Sequence, residues 1–73
     1  MLPFLFSMND ALKGREIIIE FHPYGNLVRI SAMDAKSLTE VSIQAPANTA
    51  QNIMERNVLR RLEYVMRKKG LIA

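Results

Sequence analysis

Three successive stretches of this chain alternate apolar and polar residues with a period of two, and the fourth changes to a period near 3.6. This switch limits the fold more than any other feature, because period two is the signature of a half-buried strand and period 3.6 that of an amphipathic helix. From Arg15 to His22, Ile17, Ile19 and Phe21 fall on one face. From Leu27 to Asp34, Val28, Ile30 and Ala32 do so, with Arg29 and Ser31 opposite. From Thr39 to Ala45, Val41, Ile43 and Ala45 point inward against Glu40, Ser42 and Gln44. Pro23-Tyr24-Gly25-Asn26 and Ala35-Lys36-Ser37-Leu38 separate the three stretches and supply the turns.

Closing the first hairpin over residues 23 to 26 pairs His22 with Leu27, Phe21 with Val28, Glu20 with Arg29, Ile19 with Ile30 and Ile17 with Ala32. Closing the second over residues 35 to 38 pairs Ala32 with Val41, Ser31 with Ser42, Ile30 with Ile43 and Val28 with Ala45. Apolar meets apolar in both, and this agreement favours one antiparallel meander over isolated strands. Pro46 ends the last strand, Asn48 with Gln51 has the form of a capping box, and a helix then runs to about Lys69. Its apolar stripe is Ala50, Met54, Val58, Leu62, Val65 and Met66, widened by Ile53 and Leu59, and Gly70 terminates it. The expected architecture is α+β: a three-stranded antiparallel meander packed against one long C-terminal helix, with room for a short helical turn around Met8 to Lys13. Residues 15 to 73 form the domain and residues 1 to 14 an N-terminal extension that can be flexible.

Composition removes several classes of function. With no cysteine and a single histidine, His22, the chain has neither disulfides nor a multi-histidine or thiolate metal site, and no cofactor is expected. No apolar run reaches the length needed to cross a bilayer. Met1-Leu2-Pro3-Phe4-Leu5-Phe6 lacks the basic flank and cleavage site of a signal sequence, which argues against secretion, and Met8 offers a second start. The glycines stand alone at 14, 25 and 70, so no phosphate loop is formed. Glu20, His22 and Arg29 share the outward sheet face, but a carboxylate, an imidazole and a guanidinium on an open face lack the walled pocket that catalysis needs. The chain is not expected to be an enzyme.

The blocks Glu20-Phe21-His22 with Gly25-Asn26, Thr39-Glu40-Val41-Ser42-Ile43, Ala45-Pro46-Ala47-Asn48, and Leu59-Arg60-Arg61-Leu62-Glu63-Tyr64-Val65 with Lys68-Lys69 resemble a family of small uncharacterised bacterial proteins. The resemblance covers roughly residues 16 to 70. It implies a bacterial, cytoplasmic setting and brings no functional residue with it.

Two readings of function remain. A chain of 73 residues buries only about 60% of its unfolded surface, so a domain of this size gains from burial against a second copy. One helix covers one sheet face; the other carries Ile18, Leu27 and Met33 among polar residues, both outer strands present unpaired backbone edges, the first without the protection usual on a lone edge, and Leu59 widens the helical stripe beyond what three strands cover. These four residues are the candidate self-association surface of a homodimeric, non-catalytic interaction module. The competing expectation is that Leu2 to Phe6 folds back over the same surfaces. The second reading is nucleic-acid binding. Residues 49 to 73 carry six Lys/Arg against two Asp/Glu, a net of +4 within a chain of net +3, and Arg56, Arg60, Arg61, Arg67, Lys68 and Lys69 can meet phosphates along the helix. Against it, Glu63 interrupts the basic stripe, and the exposed sheet face has no aromatic stacking platform.

Overall fold

A computed structural model of the chain describes residues 12–73, together with the backbone of the strand Phe4–Leu5. The elements in chain order are β1 (Phe4–Leu5), β2 (Ile17–Tyr24), β3 (Leu27–Asp34), β4 (Glu40–Pro46) and α1 (Gln51–Lys68). The strands form one antiparallel sheet in the order β1-β2-β3-β4, and α1 packs on β3 and β4. The α+β meander followed by a helix is therefore the fold, with β1 added at the β2 edge. The helical turn considered for Met8 to Lys13 lies largely outside the described residues; Leu12 and Lys13 belong to a turn that leads to β2.

The core is what the alternation dictates. Ile17 and Ile19 from β2, with Val28, Ile30 and Ala32 from β3, meet Met54, Val58, Leu59, Leu62 and Met66 of α1. Val41, Ile43 and Ala45 of β4 pack half-buried at its margin. Leu12, ahead of β2, and Ile72, beyond the helix, complete it. They add cover that the strands alone do not give, so the wide apolar stripe of α1 is used internally. Leu59, expected at a self-association surface, is 1% exposed.

The second hairpin has the expected register, with Val28 opposite Ala45, Ile30 opposite Ile43, Ser31 opposite Ser42 and Ala32 opposite Val41. The first is displaced by two residues: Ile19 faces Ala32, Phe21 faces Ile30 and Pro23 faces Val28. A displacement of two leaves every facing unchanged, which is why the core survives it. It does undo the expected pairing of Glu20 with Arg29; Glu20 faces Ser31, and Arg29 faces His22. The cause is a tighter turn. Gly25 takes φ +59° directly after Tyr24, the conformation of the first central residue in a two-residue II′ hairpin, so the strands run to Tyr24 and Leu27.

Pro23 fits inside β2 for a reason visible in the ladder. Ala35 N–H donates to Glu16 carbonyl at 3.0 Å, so the even-numbered residues of β2 bond toward β3 and the odd-numbered ones point away. The N–H that proline lacks is thus missing from the outer side, where strand proline is tolerated.

At the helix N-terminus the expected capping box does not form. The N-cap is Ala50, with no side-chain hydrogen bond, and Gln51 instead donates from Nε2 to Glu55 Oε2 at 2.9 Å, one turn along the helix. The C-terminus follows the sequence closely. Lys69 is the C-cap and Gly70 takes φ +76°; Gly70 N–H donates to Arg67 carbonyl at 3.0 Å and Leu71 N–H to Met66 carbonyl at 2.9 Å. This bond pair is the Schellman motif, and it turns the chain so that Ile72 reaches the core.

Candidate interaction surface

The outer face of the sheet carries Ile18, Glu20, His22 and Tyr24 from β2, Leu27, Arg29, Ser31 and Met33 from β3, and Glu40, Ser42, Gln44 and Pro46 from β4. Ile18 lies opposite Met33, and both are half-buried, so these two candidates meet. Leu27 does not join them. It lies six residues along β3 from Met33, about 20 Å at strand spacing, beside Tyr24 and Pro46. A polar band separates the two ends. His22 Nε2 lies 3.3 Å from Glu20 Oε1, Arg29 is the cross-strand partner of both His22 and Gln44, and Gln44 Nε2 donates to Tyr24 Oη at 2.6 Å. Glu20, His22 and Arg29 do come together, but on this open face and not in a cavity. Ser31, in the middle of the band, is only 4% exposed because the longer side chains around it cover the central strand.

The edge of β4 is built differently. Asp34 N–H donates to Thr39 carbonyl at 2.9 Å and Ala47 N–H to Asn26 carbonyl at 2.9 Å. These bonds fix the phase of the ladder: odd-numbered residues of β4 bond to β3, so the even-numbered ones turn their backbone groups outward. The outward row consists of the N–H and C=O of Glu40, Ser42 and Gln44, followed by the carbonyl of Pro46. Among the described residues no hydrogen bond reaches the backbone groups of Glu40, Ser42 and Gln44, whereas the Pro46 carbonyl accepts from Thr49 N–H at 3.0 Å. At the opposite edge, β1 pairs with Ile18 and Ile19 of β2, and Pro23 removes an outward donor farther along. Of the two edges expected to be open, that of β2 is therefore covered by β1 at Ile18 and Ile19, and that of β4 is the open one.

The basic residues of α1 divide into three kinds. Arg67 is engaged, donating to Glu63 Oε2 and to Ala73 carbonyl, both at 2.9 Å. Arg61 and Lys68 stand over the ring of Tyr64, 5.7 and 5.8 Å from its centre, one turn before and one turn after it. Arg56, Arg60 and Lys69 are exposed. The helix thus offers an exposed basic surface of which part is already neutralised.

At the turn end of the sheet, an open depression of about 420 Å³ is lined by Lys13, Gly14, Arg15, Glu16, Ala35 and Lys36. Its guanidinium is already committed: Arg15 Nη1 donates to Asp34 Oδ2 at 3.0 Å and Nη2 to Leu71 carbonyl at 2.9 Å. Asp34 is fully buried. Its Oδ2 also accepts from Ser37 N–H at 2.9 Å and Ser37 Oγ–H at 2.7 Å. Burial alone would raise this carboxyl, yet the two Ser37 hydrogen bonds and the Arg15 charge outweigh it and hold the group below the ordinary carboxylate value. The network joins the segment before β2, the β3–β4 turn and the chain after α1. Sequence reading missed it, although the signal was present: the inward positions 28, 30 and 32 continue to 34, where only a paired carboxylate can be buried.

Among the described residues no three acidic, histidine or cysteine side chains gather as a metal site, and no helix is long and apolar enough to cross a membrane.

A family model described as a domain of unknown function, DUF6898, matches residues 14–69. The chain belongs to that family. The DUF6898 match takes in β2, β3, β4 and α1 and ends at the helix C-cap, so β1 and the tail carrying Ile72 lie outside it. Searches of curated proteins and of solved structures return no match.

Proposed function

We propose that this protein is a non-catalytic interaction module that self-associates as a homodimer in a bacterial cytoplasm. The observation that carries the reading is a two-layer fold in which, among the described residues, no element lies on the outer sheet face and the outward backbone groups of Glu40, Ser42 and Gln44 on β4 have no partner. The setting follows from the family resemblance. The grouping of Glu20 with His22 and Arg29 stands on an open face, which favours recognition over chemistry.

The reading is tested by light scattering on the purified chain together with its ultraviolet absorbance. It expects a species of twice the 8.3 kDa chain mass with the absorbance of protein alone. A monomer throughout the micromolar to millimolar range overturns it. So does a salt-sensitive species with nucleobase absorbance that is lost on charge reversal at Arg56 and Arg60, an outcome that would assign function to the basic face of α1.

A further inference from the structure

We infer that the homodimer forms by antiparallel pairing of β4 with β4 of a second copy, which extends the sheet across a two-fold axis at Ser42. The inference rests on the homodimer reading above and places its interface away from Ile18, Leu27, Met33 and Leu59. Three observations lead there.

The first is which edge is open. β1 covers β2 at Ile18 and Ile19, and Pro23 removes a donor beyond them, whereas Glu40, Ser42 and Gln44 present a full outward row of donors and acceptors. From Glu40 to Gln44 this edge has no proline and no lysine, the residues that commonly protect an edge.

The second is that the row is complementary to itself. Two copies of an antiparallel edge meet through a two-fold axis, and only one register leaves no outward group of these three residues unused. With Ser42 facing its own copy, Glu40 faces Gln44 of the second copy, and each facing pair exchanges both bonds. Shifting the axis to Ile43 sets Glu40 against Pro46, which has no N–H to return. The chosen register also sets Val41 against Ile43 on the helix side, joining the two half-buried core margins, and sets no charge against a like charge.

The third is the layer above. α1 packs on β3 and β4, so two copies related in this way hold their helices about 9–10 Å apart, two strand spacings, within the range of packed helices. The joined sheet is roofed without a gap.

Ser42→Pro is the direct test. It removes the donors nearest the axis while leaving the bonds from Val41 and Ile43 to β3 untouched, since the N–H of residue 42 points outward. The variant is expected to remain folded and to associate at least roughly tenfold more weakly than the unaltered chain. Amide hydrogen exchange on the unaltered chain supplies a second readout that needs no substitution. The N–H groups of Glu40, Ser42 and Gln44 are expected to gain protection as concentration rises through the dimerisation range. If a dimer forms while these amides exchange as freely as in the monomer, the β4 interface is wrong and self-association stands. If no dimer forms at any concentration, the homodimer reading itself has failed.

Discussion

Leu38 holds φ +62°, a left-handed conformation that costs a side chain with a Cβ about 1–2 kcal/mol, and its side chain is 68% exposed. It closes the β3–β4 turn by donating its N–H to Asp34 carbonyl at 2.7 Å. Glycine adopts this conformation freely but loses more entropy on folding, so Leu38→Gly is expected to raise stability by about 0.5–1 kcal/mol in urea unfolding. Asp34 next to it works in the opposite sense. Its folded pKa lies below the unfolded value of 3.8, so the ionised form stabilises the fold; the contribution is complete above that value and is lost as pH falls through the folded pKa. Unfolding measured from neutral pH downward should therefore show stability declining below about pH 4. Asp34→Asn should cost about 1–3 kcal/mol at neutral pH and show a shallower decline, because the paired charge is already gone.

Between residue and element stands the helix terminus. Gly70 is held at φ +76°, and an added Cβ there would meet no atom within 4 Å, so the cost of Gly70→Ala is conformational and not steric. That cost is about 1 kcal/mol, measurable by denaturant unfolding, with the contact of Ile72 on the core as the feature first loosened. This terminus was legible because glycine after a basic last turn has one common meaning. The N-terminus was not: Asn48 and Gln51 stand three apart as a capping box requires, but the helix begins after Ala50, and spacing alone does not fix where the first turn closes. The strands show the same division. Their facing could be read from period two, and the second hairpin register followed from it. The first could not, because a proline read as a turn residue lies within β2 on the unpaired side of the ladder, and a register shifted by two satisfies the same facing rule.

At the scale of the molecule, the exposed apolar residues and the phase of the hydrogen-bond ladder point to different surfaces. Leu59 is spent in the core with Leu12 and Ile72, two residues outside the main pattern whose return to the core no period announces. Leu27 is separated from Ile18 and Met33 by a polar band, so the outer face holds no continuous apolar patch among these residues. What remains open is a row of backbone groups on β4, and such a row depends on which residues bond to β3, information carried by pairing and not by composition. The measurement that tests this most directly is nuclear magnetic resonance on a mixture of isotope-labelled and unlabelled chains, filtered for contacts between copies. The account predicts a contact between the Hα of Val41 in one copy and the Hα of Ile43 in the other, the close non-hydrogen-bonded pair of the Ser42-centred register. Intermolecular contacts confined to Ile18, Leu27 and Met33, with none from β4, would contradict it.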